Sequence, residues 1–199
     1  MANKKKYYAV RAGHHPGIYD TWDACRKETD HYPGAIFKSF STMAEAEAFM
    51  CGADQVDDLS QDLVAYVDGS YNLNTGIYGY GVILLKGGKR LKTLSGAGED
   101  PIYQSMRNVA GEIMGSLSAA SYALAHGYDH LTIVYDYAGI EEWVAGRWKA
   151  NKEGTKAYQA KMREMMQSLQ IDFIKVQAHT GNTHNEEADK LAKEAAGVL

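Results

Sequence analysis

From Leu63 onward the apolar residues fall in short dense runs separated by turn-forming residues. LVAYVDGS (63–70), IYGYGVILL (77–85) and LKTLSGAG (91–98) are predicted as three consecutive strands. Lys86-Gly87-Gly88-Lys89 between the last two is a tight-hairpin signal. A long helix is expected from about Asn108 to Ala125, despite Gly111 and Gly115. LTIVYD (131–136) is a fourth strand, and its continuous apolar run suits a sheet position buried on both faces. Helical periodicity follows near 140–148 and 155–169, then the strand IDFIKVQ (171–177) and a last helix from about Asn185. Three antiparallel strands followed by two helix-linked ones predict an α/β fold: a mixed five-stranded sheet flanked by helices.

The first fifty residues carry a separate, smaller pattern, read as strand, helix, strand, helix. KKYYAVRAG (5–13) is a strand candidate, and Gly13 to Gly17 supplies turn chemistry around Pro16. Thr21 can cap a helix through WDACRKETD, which Tyr32-Pro33-Gly34 ends. IFKSF (36–40) alternates as a half-buried strand does, and Thr42-Met43-Ala44-Glu45 is a capping-box pattern that opens a second helix. Residues 52–62 are poor in apolar side chains and rich in like charge, which suits a solvated linker. The expected organisation is a small αβ module at 1–51, an acidic linker at 52–62 and an α/β domain at 63–199.

Charge modifies this picture only locally. The chain of 199 residues has a formal net charge of −4, with 45% hydrophobic and 23% charged residues, near the globular average. Residues 1–51 hold seven Lys and Arg against six Asp and Glu, and 63–199 hold fourteen against fifteen. The segment 52–62 holds four Asp and no base, so the acidity is concentrated there. No broad basic field announces a polyanionic partner, and none is excluded. Two cysteines, Cys25 and Cys51, make neither a disulfide framework nor a Cys-x-x-Cys zinc pattern. With no apolar stretch long enough for a signal peptide or a membrane span, a cytoplasmic protein with no membrane partner is expected.

Four acids stand where structural acids are uncommon. Asp68 and Asp136 each end an apolar strand, where open α/β sheets place their ligands. Glu112 lies in the first turns of the long helix and Asp189 in the last helix. Singly, a strand-end Asp is usually a turn residue and a helical Glu is usually solvated. Converging, they would repel and desolvate at large cost unless cations neutralise them. Oxygen-only ligands suit Mg²⁺, or Mn²⁺ as a substitute, rather than zinc.

The order Tyr66-Val67-Asp68-Gly69-Ser70, Asn108-x-x-x-Glu112, strand-end Asp136, His179-x-Gly181 and Asn185-Glu186-x-Ala188-Asp189-x-Leu191-Ala192 resembles the type 1 ribonuclease H family across essentially all of 63–199. The resemblance implies an endoribonuclease that hydrolyses the RNA strand of RNA·DNA hybrids and leaves 5′-phosphate and 3′-hydroxyl ends. It implies two ions, about 3.5–4 Å apart, bridged by Asp68, with Glu112 and Asp136 completing one side and Asp189 the other. His179 would be an auxiliary proton carrier or a gate for product release, its ordinary pKa lying near 6.5. Asn74, Asn108 and Asn185 would contact substrate, Asn74 and Asn108 in the minor groove. Gln104 to Asn108, Arg107 included, would present backbone groups to phosphate. Trp143, Trp148 and Lys149, in a segment that interleaves aromatics with cations, resemble the family's basic handle, whose Trp packs on deoxyribose. A monomer with no small-molecule cofactor is expected.

The N-terminal pattern YYAVRAGHHPGIYDTWDAC…GAIFKSF resembles the hybrid-binding domain found ahead of many such enzymes and in some viral inclusion proteins, over residues 6–50. On that likeness Trp22 and Phe37 would lie against deoxyribose and Lys38 on phosphate. The chain departs from the family in places. The link from Asp136 to Gly139 is shorter by roughly one helical turn, Tyr137 replaces a small polar residue, Ser105 and Arg107 stand where an Arg and a Thr are usual, and Ser39 where a second Lys is frequent. Two rivals stay open at this level: a catalytically silent duplex binder, and a DNA-directed integrase or resolvase on the same fold. Intact acids at all four positions argue against the first, and the His-x-Gly tail and N-terminal module argue against the second.

Overall fold

The computed structural model describes residues 6–50, 63–176 and 183–198. The acidic segment 52–62, Cys51 and His179 lie outside them. The chain divides into two compact units, within 1–55 and 56–199.

In the first unit β1 (Tyr7–Ala12), β2 (Gly17–Tyr19) and β3 (Ile36–Phe40) form an antiparallel sheet in the order β2-β1-β3. The expected strand-helix-strand-helix pattern lacks β2, whose three residues are too short to show a period. Helix α1 (Trp22–Thr29) begins as its cap predicts, Thr21 Oγ1 accepting from Ala24 N at 3.3 Å. In α2 (Met43–Met50) the capping box closes reciprocally: Thr42 Oγ1 accepts from Glu45 N at 3.2 Å, and Glu45 Oε2 accepts from Thr42 N at 3.0 Å. A small core of Ala9, Ala46 and Phe49 lies between β1 and α2.

The second unit is the mixed sheet that the sequence predicts, in the order β6-β5-β4-β7-β8. Its strands are β4 (Leu63–Tyr71), β5 (Tyr78–Lys86), β6 (Lys89–Gly98), β7 (His130–Tyr135) and β8 (Gln170–Lys175). The first three pair antiparallel, while β7 runs parallel to β4 and β8 to β7. The helices are α3 (Pro101–Gln104), α4 (Asn108–Ala125), α5 (Gly139–Ala145), α6 (Glu153–Met165) and α7 (Thr183–Ala196). Helix α3 is absent from the sequence reading because one turn gives no period. Helix α5 stops three residues before the expected Trp148, since Gly146 takes the left-handed conformation (φ 77°) and closes it.

Strand β4 explains its own dense apolar run. Leu63, Ala65 and Val67 enter the core shared with α4, α5 and α6, while Val64 and Tyr66 enter the core on the opposite face, which includes Ala188 of α7. A strand covered on both faces has no solvent side, so its pattern cannot alternate. Among the described residues no helix is long and apolar enough to cross a membrane.

Two close approaches seat the helices on this strand. A Cβ at Gly69 would stand 2.2 Å from Asn108 O and 2.4 Å from Glu112 N, and one at Gly111 would stand 2.1 Å from Gly79 O. On the other face, a Cβ at Gly81, the partner of Asp68 in β5, would meet Ala188 O at 2.1 Å. Helix propensity alone favours Ala over Gly at position 111 by about 0.5–1 kcal/mol. The contact reverses that sign: Gly111→Ala is expected to lower stability by about 1–3 kcal/mol through overpacking against backbone, read as an earlier urea midpoint. A later midpoint would refute the close approach.

Candidate active site

The parallel register of β4 and β7 ends at Tyr66 opposite Val134. Asp68 and Asp136 each stand two residues beyond, at the same level: Asp136 just past the end of β7, and Asp68 within β4, which runs on to Tyr71 rather than ending at Asp68 as expected, because β5 continues to pair with it. Gly69, next to Asp68, admits the backbone of α4 and brings Glu112 to that level from one face. Gly81, paired to Asp68, admits Ala188 of α7 and brings Asp189 from the other. All four predicted acids are thereby gathered at one level of the sheet, beside the carboxyl end of β7.

Their electrostatics register the crowding. Burial, then the charge of Asp136 and of Asp189, push the Asp68 carboxyl up to about 7, against the counterweight of Gly69 N–H and Lys193. Glu112 is 1% exposed. Burial, then Asp136 and Asp68, hold its carboxyl well above the usual range. Each acid also has a local partner. Asp68 Oδ1 accepts from Gly69 N at 2.7 Å, Glu112 Oε2 from Tyr137 N at 3.2 Å, and Asp189 Oδ2 from Lys193 Nζ at 2.6 Å. Glu112 also shares a side-chain hydrogen bond with Asp136.

Among the described residues no three His, Cys, Asp or Glu side chains stand in a closed ligating group. The donor chemistry nevertheless fits a hard divalent cation: the four acids offer only oxygen, and like charges at close range favour a cation between them. Lys193 escaped the sequence reading, although an Asp followed by a Lys four residues on in a helix is a legible pairing signal.

The expected substrate residues divide. Asn74 is exposed in the turn from β4 to β5, which Asn72 Oδ1 holds by accepting from Asn74 N at 3.0 Å. Gln104 Nε2 ties the same turn to α3 through Gly76 O at 3.0 Å. Arg107 and Asn108 are exposed and line two hollows. One, of about 360 Å³, also contains Asp189 and Lys193. The other, of about 340 Å³, is walled by Tyr137, Trp143, Lys149 and Lys152. The backbone N–H groups of Gln104, Met106 and Arg107 are already donated to Asp100, Tyr103 and Gln104 carbonyls, so the 104–108 segment offers mainly side chains there, not the backbone groups expected. Asn185 is buried near the start of α7.

In the aromatic and cationic segment, Trp143 is 8% exposed and packs in the core, whereas Trp148 is 43% exposed. Lys149 is exposed. Arg147 is engaged internally, its guanidinium reaching Glu142 at 2.8 Å and Glu141 at 2.5 Å. In the first unit, Trp22 and Phe37 are 45% and 41% exposed with ring centres 5.8 Å apart. They form a surface pair rather than core. Lys38, exposed on the edge strand β3, has its ammonium 5.6 Å from the Phe40 ring centre.

Comparison with known proteins agrees with this architecture. Residues 6–50 match the family model described as the ribonuclease H1 N-terminal domain, and 60–197 match the model described as RNase H. The chain is 32% identical over 165 residues to ribonuclease H of Syntrophus aciditrophicus, covering 77% of this chain and 91% of that protein. It is 26% identical over 255 residues to human ribonuclease H1, covering 96% and 89%. In fold it is similar to LC11-RNase H1 solved with an RNA/DNA hybrid, with a TM-score of 0.58 at 20% identity over 69% of this chain and 98% of that one.

The shifted carboxyl has a consequence for stability. Between the ordinary 3.8 and about 7, folded Asp68 holds a proton that the unfolded chain has released, so stability falls as pH rises through that window. Without divalent ions, Asp68→Asn is therefore expected to stabilise the protein at pH 8 by on the order of 2 kcal/mol and to flatten the decline. Thermal unfolding in chelator from pH 5 to 8 reads both effects. A variant no more stable than its parent at pH 8 would contradict the crowding.

Proposed function

The chain belongs to the ribonuclease H family, and from that membership we propose that it cuts the RNA strand of RNA·DNA hybrids with the help of two Mg²⁺ ions, leaving 5′-phosphate and 3′-hydroxyl ends. One observation carries the reading: four acids from two adjacent strands and two helices meet at one level of the sheet, with Asp68 and Glu112 held above their ordinary pKa by burial and by neighbouring acids, Asp136 first among them. Such an arrangement suits a site that takes up cations, which relieve the repulsion of its acids.

Asp68, Glu112, Asp136 and Asp189 would hold the ions. Bound divalent ions supply a hydroxide nucleophile near neutral pH and positive charge for the leaving 3′-oxygen. The protein's own part is placement. Asp68 and Glu112 would hold those ions as carboxylates, and Asp189 would part from Lys193 to join them. Lys193 then remains in the hollow beside Arg107 and Asn108 as a cation facing substrate phosphate. Asn108, at the start of α4 one turn before Glu112, is placed to read a 2′-hydroxyl in the minor groove, and Asn74 offers a second amide. His179 serves as the auxiliary proton carrier. Arg107 and Lys149 take the phosphates of the DNA strand while Trp148 packs on its sugar. Domain roles follow the two family matches: the first module holds the duplex and the second cuts it.

Incubation with Mg²⁺ and end-labelled RNA·DNA, RNA·RNA, DNA·DNA and single strands is expected to cleave the hybrid's RNA strand selectively. A hybrid left intact beside an active control would overturn the proposal. Asp68→Asn should reduce cleavage by more than about a hundredfold while hybrid binding persists, as measured by anisotropy. For the first module, Trp22→Ala should weaken hybrid affinity roughly three- to tenfold and leave the cleavage rate at saturation unchanged. An unaltered dissociation constant would remove that module from substrate capture.

A further inference from the structure

The shortened link after Asp136 places an aromatic ring where the family pattern has a small polar residue, and the site described above gives that ring no task. Tyr137 follows Asp136 directly, and its backbone N–H donates to Glu112 Oε2 at 3.2 Å. Its ring centre lies 5.7 Å from that of Trp143 and 6.3 Å, nearly perpendicular, from that of Trp148. Trp143 and Trp148 are themselves 6.3 Å apart at 73°. The three rings therefore form one continuous wall whose inner end touches the acid cluster through the Tyr137 backbone. Gly139 makes room for it, since a Cβ there would stand 2.4 Å from Tyr137 Cε1 and 2.8 Å from Trp143 Cη2.

The hollow of about 340 Å³ opens against the Tyr137 and Trp143 part of this wall, with Arg107, Lys149 and Lys152 around it. Cations around an aromatic surface suit a sugar-phosphate strand, the cations taking phosphate and the ring taking the apolar face of a sugar. Tyr137 is only partly buried, and it is the member of the wall nearest the acids in the chain. We infer that Tyr137 is a specificity-determining residue of this chain, its ring packing on a deoxyribose of the hybrid's DNA strand while its N–H holds Glu112 in place. This rests on the reading of the protein as a hybrid nuclease. A 2′-hydroxyl on the contacted sugar would crowd the ring, so the contact discriminates a hybrid from duplex RNA as well as adding affinity.

The test uses the full chain carrying Asp68→Asn, which binds without cutting, and labelled RNA·DNA and RNA·RNA duplexes. Tyr137→Phe keeps the ring and should bind the hybrid within about twofold of its parent. Tyr137→Leu keeps apolar bulk without an aromatic face, and should weaken hybrid binding about tenfold with a much smaller change for RNA·RNA. In the cutting-competent chain, Tyr137→Leu should raise KM far more than it lowers kcat, because the backbone bond to Glu112 survives. Thermal unfolding of each variant separates binding from folding. Equal hybrid affinity for the Leu and Phe variants, or equal losses on both duplexes, would overturn the assignment. A parent chain that neither binds nor cuts hybrid would instead overturn the proposed function, so the two failures are distinct.

Discussion

Helices α4 and α7 touch the end of β4 from opposite faces, and everything at the active end depends on those two contacts. Carboxylates do not gather of their own accord: each added charge raises the cost of the next, and burial raises it further. The force that holds them must come from elsewhere. Backbone-to-backbone packing at Gly69 and Gly111 fixes Glu112, and packing at Gly81 fixes the turn of α7 that carries Asp189. Because consecutive side chains of a strand face opposite sides, Asp68 and Gly69 can serve the two layers at once. Both hydrophobic cores then resist the repulsion, one through each helix.

The substrate side is built under a different restriction, scarcity of cations. Residues 63–199 carry fewer basic than acidic side chains. One base of the aromatic segment is spent internally, since Arg147 spans Glu141 and Glu142. That spending has an effect, because Glu142 O also accepts the N–H of Trp148 at 3.0 Å and the turn after Gly146 is thereby fixed. A rigid aromatic is presented at the cost of a mobile charge. The first module follows the same economy: Trp22 and Phe37 remain beside each other at the surface while Ala9, Ala46 and Phe49 fill the core. Recognition that leans on sugar packing reads the kind of sugar, whereas phosphate contacts alone read only charge.

How much of this is legible in the chain depends on the length over which a signal is written. Strand β4 and helix α4 declare themselves over nine and eighteen residues, but the apolar run stops at Val67, so Asp68 reads as a strand end while pairing with β5 carries the strand on to Tyr71. Strand β2 and helix α3, with three and four residues, carry no period to read. The sequence treats Gly111 as a defect in a helix, because the benefit of a missing Cβ lies in another segment, at Gly69 and Gly79. Trp143 and Trp148 look alike in the chain and differ because α5 ends at Ala145, turning one ring inward and leaving the other out. Arg107 reads as an ordinary phosphate-binding cation, yet its backbone takes the left-handed conformation (φ 56°) at the entrance to α4. That is an uncommon state for a residue with a long side chain, and such strain gathers at functional sites.

The acid cluster also has to survive before any cation arrives, and its members meet that need in different ways. Glu112 is the most buried, and it has only a backbone N–H and a shared bond with Asp136 to relieve it. Its carboxyl answers by favouring the protonated form. Asp68 is intermediate, relieved by Gly69 N–H and by the nearby charge of Lys193. Asp189, on the rim, has a full counterion one helical turn away in Lys193. Neutralisation therefore passes from proton to ammonium as the site opens to solvent. The gradient follows from solvation, since a buried carboxyl is most cheaply neutral and a rim carboxylate most cheaply paired. How each acid is relieved is thus set by how deeply it lies, which the two helix contacts decide.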